Sequence, residues 1–147
     1  MNEIPEFEEK RKSVRLVGAL AVEMTIPGVP KTQHGFTYDI NHEGLGVEAD
    51  YLDQEALVVL NKDNLSMDVV VHSSQQKKVR AHCQVVWFHK DDEMTEEKYQ
   101  IGLMFLKINP AELKLILSKA RNQTKWLGIV AVGLFILLVI FLFYVLS

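Results

Sequence analysis

GFTYDINHEGLGVEA, residues 35–49, holds two short apolar runs around one turn. Gly35–Ile40 and Leu45–Ala49 are rich in aromatic and aliphatic residues. Between them, Asn41-His42-Glu43-Gly44 is turn-forming, because Asn bonds its own backbone and Gly tolerates geometries that a Cβ forbids. The pattern predicts two strands joined by a tight loop. The same signals recur outward. Leu16–Ile26 (LVGALAVEMTI) is an apolar run closed by Pro27-Gly28 and Pro30. Leu65–His72 follows the turn-rich Asn61–Asn64, and Lys78–His89 sets Val79, Ala81, Cys83 and Val85 on one face. The acidic Lys90–Lys98 reads as a loop before a sixth strand, Tyr99–Leu106. Six short strands with turns between them predict a small antiparallel barrel or sandwich.

Beyond residue 108 the period changes. Asn109-Pro110-Ala111-Glu112 is a helix start: an N-cap Asn, Pro at the first helical position, and Glu placed for a capping box. Leu113, Ile116, Leu117 and Ala120 follow at helical spacing. Trp126–Leu146 (WLGIVAVGLFILLVIFLFYVL) is 21 residues without a charge. As a helix it reaches roughly 31 Å, enough to cross a hydrocarbon core. It is apolar on every face, and the rest of the 147 residues is too small to wrap it. The expectation is a soluble domain followed by a tail anchor, the helix from 110 running on into the membrane or breaking near Asn122–Thr124.

Charge sets the expected orientation. Lys107, Lys114, Lys119, Arg121 and Lys125 against Glu112 give +4 beside the apolar run, which places residues 1–125 in the cytosol. The chain's formal charge is −3, so residues 1–106 carry −7, a poor surface for long nucleic acid. MNEIPEFEEK at the start has no apolar signal-peptide core. Cys83 is alone, which excludes a disulfide-stapled framework. The five His show no HxxxH or HExxH spacing, and there is no phosphate loop or paired carboxylate setting, so neither a metal site nor an enzyme is expected. Trp87 and Phe88, adjacent on one strand, are expected to face core and surface respectively or the reverse.

Two clusters remain. Arg11-Lys12-Ser13-Val14-Arg15 places two of the chain's four arginines four apart, just before the first strand. Asp39-Ile40-Asn41-His42-Glu43-Gly44, continued by Leu45-Gly46-Val47, fills the turn between the second and third strands. In this order they resemble the RxxxR and [D/N]xSxxG motifs of the PilZ domain, over roughly residues 9–120. Val85-Val86-Trp87, Tyr99–Leu103 with Phe105, and the following helix fit the same family. The sequence departs from the pattern at Asn41, where the family has Ser; Asn keeps a donor and an acceptor but is bulkier.

The resemblance implies a six-stranded antiparallel β-barrel with a C-terminal α-helix, here followed by one transmembrane helix, and a cyclic di-GMP ligand. The implied organisation is a flexible arm at 1–15, barrel and helix at 16–121, and a membrane span at 126–146. Arg11 and Arg15 match the family's arginines that grip guanine or phosphate, Asp39 the acceptor for guanine N–H groups, and Gly44 the position of close backbone approach; Asn41 completes the set. The implied function is a cyclic di-GMP receptor on a bacterial inner membrane that signals to a protein partner there. The alternative is a degenerate PilZ module serving as a nucleotide-independent adaptor.

Overall fold

The structure is a computed structural model, and it describes residues 19–91 and 97–146. Arg11, Arg15 and the expected arm at 1–15 lie outside the described residues. Six strands form a closed antiparallel barrel: β1 (Ala21–Thr25), β2 (Gln33–Ile40), β3 (Gly44–Ala49), β4 (Ser66–His72), β5 (Lys78–Asp91) and β6 (Lys98–Ile108). Their order around the barrel is β1-β2-β3-β6-β5-β4, with β4 closing on β1. The expected six-stranded barrel is the fold found, and closure leaves no strand edge unpaired.

Alternation builds the interior. Val22, Met24, Met67, Val69, Val71, Val79, Cys83 and Ile101 are buried inside, while Glu23, Asp68, Arg80 and His82 point outward. Each buried aliphatic side chain contributes about 1.5–3 kcal/mol relative to leaving it in water. The turn after β1 is Ile26-Pro27-Gly28-Val29, closed by Val29 N–H donating to the Ile26 carbonyl at 3.1 Å. Gly28 sits there at φ +80°, a conformation that a side chain would strain.

Two sequence expectations are corrected, and one left open is resolved. A short helix, α1 (Gln54–Leu60), buries Ala56 and Leu60 against the barrel where no element was expected. The expected loop Lys90–Lys98 is in part strand, since β5 continues to Asp91 and β6 begins at Lys98. The second helix, α2 (Pro110–Leu146), has no break near Asn122–Thr124; it is continuous over 37 residues. Asn109 caps it, its Oδ1 accepting the Ala111 N–H at 2.9 Å. Ile116, Leu117 and Ala120 bury against the barrel. Beyond them α2 is long and apolar enough to cross a membrane, with a mean hydropathy of 3.2 in its most apolar window and none of that window buried.

Candidate functional site

Three of the expected site residues meet in one place. Asp39, Asn41 and Gly44 line a cavity of about 600 Å³ on the outer wall of the barrel, together with His42, Gly46, Trp87 and Gly102. Two irregularities in strand pairing create it. Thr37 faces Val47 and Asp39 faces Gly46, so β2 carries one extra residue, Tyr38, against β3. Such a bulge shifts the alternation by one. Tyr38 and Asp39 therefore both come to lie over Gly46, where any Cβ would strike the Tyr38 ring and the Asp39 carboxylate.

β5 repeats the device. Val85 faces Leu103 and Trp87 faces Gly102, leaving Val86 as the extra residue. The Trp87 indole then lies directly over Gly102, with no room for a Cβ beneath it. Gly46 and Gly102 are paired partners on β3 and β6. Two paired glycines thus let side chains of the outer two of four adjacent strands lie flat across the inner two. Asp39 and Tyr38 stand at one end and Trp87 at the other. The indole is 42% exposed, so it is available to a ligand rather than sealed in the core. Its neighbour Phe88 is half-buried and stacks on Tyr99, ring centroids 6.1 Å apart.

The turn itself is braced by Asn41. Its Oδ1 accepts the Glu43 N–H at 2.8 Å and the Gly44 N–H at 2.9 Å, an Asx turn, and Asn41 N–H donates to the Gly44 carbonyl at 3.0 Å. With the oxygen committed to the backbone, the amide –NH₂ is the group left to meet a ligand. Gly44 serves a packing need: a Cβ there would collide with the Leu103 carbonyl of β6. The close approach that requires glycine at 44 is therefore made to a neighbouring strand. His42 is exposed on the rim.

Trp87, Gly46 and Gly102 were not expected as site residues from sequence. Glycines inside the strand patterns Leu45-Gly46-Val47 and Ile101-Gly102-Leu103 were the available signal of close approach. Among the other candidates, Cys83 is fully buried, and burial pushes its thiol up to about 12, so it is inert as a nucleophile at neutral pH. No cluster of three or more His, Cys, Asp or Glu able to hold a metal occurs among the described residues.

Comparison with known proteins gives a consistent result. The PilZ domain profile matches residues 9–120. The PilZ domain of YcgR from Escherichia coli, solved with c-di-GMP, is similar at TM-score 0.65 and 14% identity, over 82% of this chain and 98% of that one. The inhibitor of motility MotI/DgrA from Bacillus subtilis is similar at TM-score 0.56 and 16% identity, covering 80% and 52%. The PlzA protein from Borreliella burgdorferi, in complex with c-di-GMP, gives TM-score 0.51 and 17% identity, covering 81% and 52%. This chain spans about half the length of the latter two. At these identities the likeness is one of fold. No curated protein sequence matches the chain.

Proposed function

The chain belongs to the PilZ domain family, and from that membership we propose that it is a cyclic di-GMP receptor held at a membrane by α2. The observation that carries the reading is the convergence of Asp39, Asn41 and Gly44 on one cavity that a part-exposed indole also lines. A flat base can stack on the exposed part of the Trp87 indole, a contact of about 1–3 kcal/mol per base. The Asp39 carboxylate then accepts the guanine N–H groups, and the Asn41 amide donates to a phosphate oxygen or a base.

Arg11 and Arg15 complete the site in this proposal. Leu20 N–H donates to Thr37 Oγ1, and Thr37 N–H donates to the Leu20 carbonyl, both at 2.9 Å. Because β1 and β2 are antiparallel, Ala19, where the described residues begin, lies at the Asp39 end of β2. Arg15 is four residues from Ala19, so it reaches at most about 14 Å further. Arg11, eight residues from Ala19, reaches at most about 28 Å, and the two arginines supply forks for guanine and phosphate that a cavity lined by Asp39 and Glu43 otherwise lacks.

Ala120, buried against the barrel, precedes Trp126 by six residues of unbroken helix, about 9 Å. The barrel is therefore held close to the bilayer surface, on the side of Lys119, Arg121 and Lys125. By the positive-inside rule that side is cytosolic, and the proposed location is a bacterial inner membrane with a protein partner there. Protease treatment of inverted vesicles should digest the barrel, and treatment of right-side-out vesicles should spare it; the opposite pattern overturns the orientation.

Calorimetric titration of cyclic di-GMP into the full chain in lipid nanodiscs tests the ligand. Saturable binding is expected, with Arg11→Ala and Arg15→Ala each weakening it roughly ten- to a hundredfold, the worth of one charge-assisted contact. An absence of binding by the wild type leaves the adaptor reading in place.

A further inference from the structure

Charge is divided between the two rims of the barrel. The start of β5 lies beside the end of β6, since Ala81 pairs with Ile108, so the β4–β5 turn sits at the rim from which α2 departs. Lys77 ends that turn, and Lys78 and Arg80 point outward on either side of the buried Val79. The turn is held in place: Ser73 N–H donates to the Lys77 carbonyl at 3.0 Å, and Lys77 N–H donates to the Ser74 hydroxyl at 3.1 Å. α2 packs chiefly against β5 and adds the exposed Lys114, Lys119, Arg121 and Lys125. The acids of this rim are Asp39, Glu43 and Glu112.

The other rim carries α1 and the acids Asp50, Asp53, Glu55, Asp63, Asp91 and Glu97. A second cavity, of about 730 Å³, opens there at the Gln33 end of β2, lined by Glu23, Asp50 and Asp53. Two lysines of that rim are neutralised locally, Lys90 by Glu97 at 3.1 Å and Lys98 by Glu48 at 3.2 Å. At the α2 rim, none of the basic side chains named above forms an ion pair with another described residue. Their charge is available to an outside anion.

The geometry of α2 says which anion reaches them. Ala120 is buried against the barrel, and Trp126, where the apolar run begins, is about 9 Å further along the helix. The headgroup layer of one leaflet is about 5–8 Å thick. With α2 as a membrane span, the reading on which this inference rests, the rim packed on Ala120 meets the headgroups. Each base beside an anionic leaflet strengthens attraction about fivefold, an effect that fades within about 8 Å at physiological salt. A soluble anionic partner would have to enter a gap of a few ångströms between barrel and bilayer. We propose that the α2 rim docks on anionic phospholipid headgroups, with Lys77, Lys78 and Arg80 acting beside Arg121 and Lys125. Docking fixes the attitude of the barrel and turns its acidic rim away from the bilayer.

The test uses the full chain. Its one cysteine, Cys83, is buried, so Gln75→Cys places a single reactive thiol on the exposed β4–β5 turn. A fluorescent maleimide at that site is read in nanodiscs of phosphatidylcholine, with or without one-third phosphatidylglycerol, each containing a headgroup spin-labelled lipid as quencher. Quenching is expected to be at least about twofold stronger with phosphatidylglycerol. It should fall to the phosphatidylcholine level in a Lys77→Gln, Lys78→Gln, Arg80→Gln triple variant, and in about 1 M salt, which shortens screening to about 3 Å. The same dye at Asp63→Cys, on the other rim, should stay unquenched in both lipids. Equal quenching in the two lipids, or a triple variant quenched as strongly as the wild type, overturns the docking and leaves the rim to an acidic protein. Quenching at position 63 in place of position 75 overturns it as well. A chain that enters neither kind of nanodisc overturns the reading of α2 as an anchor, and the docking with it.

Discussion

The two cavities share β2 yet differ in their walls. At the Asp39 end, the lining is glycine backbone, an indole and one braced turn. At the Gln33 end, it is three carboxylates, two exposed rings and a buried amide that fixes one of the acids. Between them lies the extra residue at Tyr38. The regular stretch of β2 before Tyr38 alternates strictly, so Gln33, Gly35 and Thr37 face in while His34 and Phe36 face out. After the bulge the phase shifts and Asp39 turns onto Gly46. A single strand of a closed barrel thus lines two cavities with different walls, by changing phase once.

The comparison can be broken most severely at Gly44. Gly44→Ala drives a methyl into the Leu103 carbonyl and must part β3 from β6. A loss of about 3 kcal/mol or more is expected in chemical denaturation, at the upper end of overpacking costs. Nucleotide affinity should fall with it, because the barrel itself is strained. A smaller and more selective effect is expected at Trp87. Trp87→Ala removes an exposed indole from a surface floor, so stability should change by less than about 1 kcal/mol while nucleotide affinity falls by about 1–3 kcal/mol. Calorimetry beside a denaturation curve separates the two. Loss of stability matching the loss of affinity would mean that the indole is a structural cover.

The smallest effect concerns the departure from the family motif. Asn41→Ser keeps an oxygen that can accept the Glu43 and Gly44 N–H groups, so affinity should stay within about 1 kcal/mol of wild type. Asn41→Ala leaves those two donors to water and loosens the turn, and should weaken binding by about 1–2 kcal/mol. An alanine variant that binds as well as the serine variant would remove the Asx turn from the account.

The barrel was legible because alternation and turn chemistry agree along the chain. Val79, Ala81 and Cys83 were expected on one face and are buried together. The start of α2 was legible from Asn109 and Pro110, whose cap forms as expected. α1 was not legible: seven residues offer barely two turns, and Ala56 and Leu60 alone mark its buried side. The strand ends at Lys90, Asp91 and Lys98 were hidden by charge, because they form ladder pairs without apolar side chains to signal them. Of the residues that line the first cavity, Asp39, Asn41 and Gly44 were singled out by the ordered motif. Trp87 was not, because its placement depends on the bulge at Val86, and alternation in a sequence does not reveal where an extra residue falls.

The proposed site puts a guanine base against the exposed part of Trp87. The chain has two tryptophans, Trp87 and Trp126. In a Trp126→Phe background, all indole emission comes from Trp87. Titration of that variant with cyclic di-GMP in nanodiscs should give a saturable change in emission, at concentrations matching the calorimetric affinity. The change should shift to at least about tenfold higher ligand when Asp39 is replaced by Ala. Emission that stays constant while calorimetry records binding would place the nucleotide elsewhere on the barrel and contradict the site.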